Sequence, residues 1–341
     1  MNMDLVPVWT LILAFAVFMY VLLDGFDLGV GILFPFAPDD DARDLMMASV
    51  APIWDGNETW LVLGGLGLFA GFPLAYAIII PAVYFPILAM LLGLIFRGVA
   101  FEFRATAGTS RKRWELGFFC GSLIATFAQG CVLGKFVQGF AVTGRQYAGT
   151  TFDWLHPFVL SVGVGLVFGY ALLGSTWLVM KTEGALQEWA RRRARVCLFG
   201  VLAFIAMVSV WTPFLDPRIA ARWFAWPNLA LLAPVPVVTA AIAWWLWVSL
   251  KRGRDAAPFF AAMGLFAMCY VGLAISLFPY IVAPSITLWD AAAAPRSQAF
   301  MLIGTLFLLP IILTYTGWSY WVFRGKVRGD VAAETANALD A

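Results

Sequence analysis

Charge is what this chain has least of. Only 12% of its 341 residues are Asp, Glu, Lys or Arg, while 62% are hydrophobic. That balance lies outside the globular range and marks an integral membrane protein. Histidine is nearly missing: His156 stands alone, which excludes a chain that by itself ligates several haems. The 11 methionines show no spacing that would replace the missing histidines. Cysteine is sparse and scattered, at Cys120, Cys131, Cys197 and Cys269, with no C-x-x-C pair. Neither a disulfide framework nor a metal site is expected, and the four read as small core residues. Long polar stretches are lacking too, so there is no room for a soluble catalytic module. No glycine-rich phosphate loop and no nucleic-acid-binding stripe occurs. Finally, no Lys or Arg precedes the first apolar run, which is too long for the core of a cleaved signal peptide.

What is present is a series of charge-free stretches, each long enough to cross a bilayer core of about 30 Å. Lipid cannot pair with a free backbone, so the spans must be helices. The longest stretch, 61–96, exceeds one span, and "AGFPLAY" (70–76) supplies a break inside it. The reading is an all-α membrane protein with nine transmembrane helices near 8–35, 51–70, 75–99, 115–137, 157–180, 196–215, 228–250, 258–282 and 298–322. Seventeen of the 22 Lys and Arg follow spans 1, 3, 5, 7 and 9. The positive-inside rule then places the N-terminus in the periplasm and the C-terminus in the cytoplasm. The acidic "DDDARD" loop after span 1 departs from that trend.

A weak echo recurs at an offset of 150. "FMYVLLDG" (18–25) matches "FGYALLGS" (168–175), and "LIATFAQ" (123–129) faintly matches "LAISLFP" (273–279). Two four-helix bundles plus one extra helix follow: 1–140, 141–283, and a ninth span with its tail in 284–341. Gly25/Gly29, Gly130/Gly134 and Gly165/Gly169 have the spacing that lets helices approach closely.

The acids are the puzzle. Asp24 and Asp27 sit roughly 13 Å or more from the end of span 1, counted back from Phe36 at 1.5 Å per residue. Asp55 and Glu58 open span 2, and span 3 brings Arg97 and Glu102 to the same level. Residues three apart share a helix face, so each acidic pair can point one way. An ionised Asp at the centre of a span costs about 2.5–3.5 kcal/mol and normally faces protein or water. Two readings stay open: interfacial or structural pairing, or a path for protons or ions. His156, at the outer start of span 5, reads as structural.

Taken together, "DGFDLGVG" (24–31), "APIWDGN" (51–57), "FRGVAFEFR" (96–104), "LFPYIVAPSITLWDA" (277–291) and "PIILTYTGWSYW" (310–321) closely resemble subunit II of the cytochrome bd quinol oxidases. Compact length and short loops look more like the cyanide-insensitive branch. The resemblance implies a heterodimer in the bacterial cytoplasmic membrane that oxidises quinol and reduces oxygen to water without pumping protons. Two b-type haems, haem d and the quinol site would belong to the haem-bearing subunit I. This chain would be the haem-free half, with a structural quinone or lipid and a small single-span third subunit as further companions. By motif, Asp55 matches an acid associated with proton uptake, Asp24 and Asp27 match buried acids, and Arg97 matches an arginine that holds a carboxylate. Trp60 matches a position near the mouth of an oxygen tunnel. Glu58 lies in the variable part of "GNETW". The rivals are a stand-alone proton- or ion-coupled transporter and a purely structural subunit whose acids merely pair with Arg97.

Overall fold

The computed structural model describes residues 4–327; Arg328 and the rest of the tail to Ala341 lie outside the described residues. Fourteen helices follow one another: α1 (Val6–Leu33), α2 (Asp40–Val50), α3 (Trp54–Gly71), α4 (Pro73–Ala82), α5 (Tyr84–Thr106), α6 (Arg111–Gln138), α7 (Pro157–Lys181), α8 (Gly184–Leu215), α9 (Pro217–Phe224), α10 (Asn228–Leu232), α11 (Pro234–Lys251), α12 (Ala257–Leu277), α13 (Leu288–Ala291) and α14 (Pro295–Val322). Two short antiparallel hairpins interrupt them, β1 (Val142–Thr143) with β2 (Gln146–Tyr147), and β3 (Tyr280–Val282) with β4 (Ile286–Thr287). Among the described residues, eight helical segments are long and apolar enough to cross a membrane, and the bent pair α3–α4 raises the number to nine.

The break expected at 70–76 is there, but its consequence is larger than a simple turn. Phe72 leaves helical geometry and Pro73 restarts the helix at 120° to α3. Proline fits the first turn of a helix because its missing N–H has no partner there anyway. A second break at Val83 then releases α5. The span placed at 75–99 is therefore corrected to Tyr84–Thr106. The span placed at 258–282 ends at Leu277, where the β3–β4 hairpin begins. "DDDARD" is no loop: Asp39 accepts from the Ala42 N–H at 2.7 Å, and Asp40 and Asp41 occupy the first turn of α2. Acids favour a helix N-terminus, whose free N–H groups and dipole are positive. That accounts for the acidic run at odds with the charge trend.

Two helices occupy the centre. Every residue of α1 from Leu22 to its end, and every residue of α7 from Gly169 to Val179, is buried. α1 packs on α3, α6 and α7; α7 packs on α6, α8 and α12. The crossing is tight because glycine faces glycine. A methyl on Gly29 would sit 1.8 Å from the Tyr170 carbonyl oxygen, and one on Gly174 2.3 Å from the Gly29 carbonyl carbon. Gly130 likewise lies against the Gly163 backbone, at 2.6 Å for an added carbon. A smaller core at the hairpin end joins Trp9, Phe72, Ile78, Phe140, Val282 and Ile286. α14 stands apart: of its residues only Gln298 is buried.

Candidate functional site

The acids lie in the half of α1 that protein surrounds on all sides. Asp24 and Asp27 are both fully buried. Arg97, one of the largest wholly buried side chains, reaches from α5 and donates from Nη1 and Nη2 to Asp24 Oδ1, each at 2.8 Å. Its Nη2 also donates to Glu58 Oε1 at 2.8 Å. The guanidinium carbon lies 5.5 Å from the Trp54 ring centroid, which stacks in turn on Phe101. Arg97 thus meets its counter-charges inside the bundle rather than against lipid, at a cost in desolvation.

Asp27 belongs to a different set of bonds. Asn57 Nδ2 donates to its Oδ2 at 2.6 Å and to the Leu23 carbonyl at 3.3 Å. Tyr320, near the end of α14, donates to Asn57 Oδ1 at 2.9 Å. A single amide therefore ties α1, α3 and α14 together. Three buried polar atoms of the site have no protein partner: Asp24 Oδ2, Asp27 Oδ1 and Arg97 Nε.

Two members of the expected group lie elsewhere. Asp55 is exposed on the first turn of α3, and Glu102 is exposed on α5. Neither joins Arg97. Helix geometry is the reason: Asp55 and Glu58 are three apart, yet they straddle the edge of the α3 face that meets α1, so only Glu58 turns inward. Two residues on from Glu102, Arg104 is buried in a separate cluster, pairing with Asp44 at 2.8 Å and Glu115 at 2.9 Å and so clasping α2, α5 and α6. Trp60 is completely buried, with Phe15 edge-on at 5.6 Å. His156 caps α7, its Nδ1 accepting from the Phe158 N–H at 3.2 Å. Cys131 and Cys197 are buried, whereas Cys120 is half-buried and Cys269 exposed, so the expectation of four core thiols holds for two. Among the described residues no cluster of His, Cys, Asp or Glu could hold a metal ion.

Asn57, Tyr320, Tyr20 and Gln129 were not singled out from the sequence. Asn57 was legible in principle, being the amide of "WDGN" beside two acids. Tyr320 sits in the aromatic run "WSYW" (318–321), where nothing local sets it apart from its neighbours.

Fold and site together define a class: a multi-pass helical membrane protein with a guanidinium-bridged carboxylate pair at its core. The description of cytochrome bd terminal oxidase subunit II matches residues 5–323, and the chain belongs to that family. It is 29% identical over 370 aligned positions to cytochrome bd-I ubiquinol oxidase subunit 2 of Escherichia coli (strain K12), covering 97% of both chains. It is 29% identical over 333 positions to cytochrome bd ubiquinol oxidase subunit 2 of Bacillus subtilis (strain 168), covering 94% of this chain and 96% of that one. The fold matches a chain of the bd oxidase from Geobacillus thermodenitrificans with a TM-score of 0.72 at 20% identity, over 95% of this chain and all of the other. The chain is thus a multi-pass protein of the bacterial inner membrane and a subunit of a respiratory oxidoreductase, which sets the stand-alone transporter aside.

Proposed function

We propose that this chain is the haem-free subunit II of a heterodimeric quinol:oxygen oxidoreductase, and that its acids lead protons from the cytoplasm toward the partner's haem pocket. The carrying observation is a gradation of burial along neighbouring carboxyls. Asp55 is exposed, Glu58 is 26% exposed and Asp24 is fully covered, with Arg97 joining the last two. Asp55 serves as the collecting group, Glu58 as the one that takes the proton on, and Asp24 as the inner station. Asp27 is an anchor in this reading, since its partner Asn57 is an amide and cannot relay a proton. Glu102, exposed and not bonded to Arg97, is given no part in the path.

The two b-type haems and haem d supply electron transfer to oxygen in the complex. One His cannot serve three haems, which supports placing them elsewhere. They are assigned to subunit I. The face left open by α3 and α14 is the seat proposed for that subunit: α3 exposes Asp55, Thr59, Val62, Leu66 and Phe69 in one stripe, and α14 exposes apolar residues along its length. Trp60 keeps its proposed place beside an apolar route for oxygen, with the half-open Phe15 against it. Quinol is bound by the partner; a structural quinone or lipid and a small third subunit are expected on the remaining apolar faces.

The units 1–140 and 141–283 are supported by helix bounds: 150 residues separate Tyr84 from Pro234, the starts of α5 and α11, and 151 separate Val6 from Pro157, the starts of α1 and α7. The N-terminus is assigned to the periplasm and the acid end to the cytoplasm on charge bias. The test is Asp55→Asn in the assembled complex. Quinol-driven oxygen consumption is expected to fall while the haem absorption bands stay intact. Unchanged turnover would remove Asp55 from the path, and loss of the haem bands would make it structural.

A further inference from the structure

Tyr20 on α1 and Tyr170 on α7 stand 150 positions apart, at the same place in the repeated segment, and both are buried. They meet one side chain. Gln129 on α6 accepts from the Tyr170 hydroxyl on Oε1 at 2.9 Å and donates from Nε2 to the Tyr20 oxygen at 2.7 Å.

These bonds run in one direction. The Tyr170 hydroxyl gives its hydrogen to the Gln129 carbonyl, and the amide nitrogen faces Tyr20. That nitrogen occupies the Tyr20 oxygen as donor, so the Tyr20 hydrogen must be given elsewhere. A hydroxyl has one hydrogen to donate. Asp24 is four residues on, on the same helix face, so its carboxyl lies one helical turn from that hydroxyl. Arg97 engages only Oδ1 of that carboxyl and leaves Oδ2 without a donor. A buried carboxyl oxygen without a donor is costly.

We infer that Tyr170, Gln129 and Tyr20 are positioning residues for Asp24. They form a directed chain that aims one hydroxyl hydrogen at Oδ2 and so fixes the carboxyl opposite Arg97. The chain ends at Tyr170 against Phe266. It orients Asp24 rather than conducting protons through the membrane. The repeat explains its origin, since two equivalent tyrosines converge where α1 and α7 cross.

Infrared difference spectroscopy of the assembled complex distinguishes positioning from mere helix glue. Tyr20→Phe removes one oxygen and keeps the ring. Its difference from the parent is expected to contain a carboxyl-region band that vanishes when both are compared on an Asp24→Asn background. Tyr170→Phe should give the same band at lower amplitude. Turnover in Tyr20→Phe should drop roughly two- to tenfold, the worth of one hydrogen bond. A carboxyl region unchanged by Tyr20→Phe, or changed equally on both backgrounds, overturns the inference. Should Tyr20→Phe not assemble, Tyr170→Phe carries the same comparison with Tyr20 in place. The turnover effect rests on the proton-path reading of Asp24, whereas the infrared band does not. Full turnover in Asp24→Asn would discard that reading and leave the band to decide this one.

Discussion

Arg97 places both terminal nitrogens 2.8 Å from one oxygen of Asp24 and, with the second of them, holds Glu58 at 2.8 Å. One positive charge thus serves two carboxyls from two helices, and they are not equivalent. Asp24 is sealed inside, while Glu58 retains 26% of its side-chain surface. A proton arriving at Glu58 leaves the Arg97–Asp24 pair intact. A proton arriving first at Asp24 would break the better-buried pair. On the proposed path, Glu58 therefore changes state before Asp24.

Removing Arg97 should therefore cost more than removing either acid. Arg97→Met strands Asp24 in the core, and breaking a buried pair from one side typically costs about 3–5 kcal/mol. Pairing it with Asp24→Leu removes the stranded charge and should restore most of that loss. Thermal denaturation of the purified complex reads both. A double variant no more stable than Arg97→Met would mean that the two side chains do not interact as a unit.

Glu58 and Asp27 offer a sharper contrast. Glu58→Gln should lower oxygen consumption by at least about tenfold, within the range associated with groups that carry a proton. Asp27→Asn should leave turnover within about twofold of the parent, because it exchanges one amide-bonded anchor for another. Equal losses in the two variants would erase the distinction between path and anchor. Steady-state oxygen uptake at matched haem content is the measurement.

Much of this arrangement was legible in the chain before its structure. Hydropathy and the Gly/Pro break located the spans, because membrane helices must be long, apolar and backbone-satisfied. Asp24, Asp27, Arg97 and Glu58 were marked as a group because topology delivers them to one level. Which of two acids three residues apart turns inward was not legible. It depends on the rotation of α3 about its own axis, which its neighbours set. The 120° turn at Phe72 was hidden for a similar reason: a Gly/Pro signal marks an interruption but not the angle taken after it. Tyr20, Gln129 and Tyr170 lie on three helices and carry no local motif, so only their packing brings them together.

The loop between α6 and α7 carries a titration outside the membrane. Tyr147 donates to Asp153 Oδ2 at 2.8 Å, and the Thr150 hydroxyl donates to Oδ1. The Thr150 bond, followed by that from Tyr147, holds the Asp153 carboxyl below its usual value. A depressed value in the folded loop means that the contribution is present above the unfolded value, about 3.9, and is lost as pH falls through the folded one. Amide exchange in 146–153, corrected for its intrinsic pH dependence, should accelerate as the solution becomes more acidic than about pH 4. Asp153→Asn should abolish that step. An acid step of the same size in Asp153→Asn would assign it to another group.

The α1–α7 crossing makes the most severe demand on residue size. A methyl on Gly29 would lie 1.8 Å from the Tyr170 carbonyl oxygen and 2.6 Å from its carbon. Both are backbone atoms, so no rotamer change relieves the contact and the two central helices must separate. Overpacking commonly costs about 1–3 kcal/mol, and a backbone-on-backbone collision between two buried helices belongs at or above the top of that range. Separation would also pull Tyr170 from Gln129 and loosen the surroundings of Asp24. Gly272 on α12 provides the control, since an added carbon there meets nothing within 4 Å. Ala is a better helix former than Gly by up to about 1 kcal/mol, so Gly272→Ala should be neutral or slightly stabilising. Yield of assembled complex and its melting temperature should drop for Gly29→Ala and hold for Gly272→Ala. Equal behaviour of the two variants would show that close approach of α1 and α7 is not what the glycine provides.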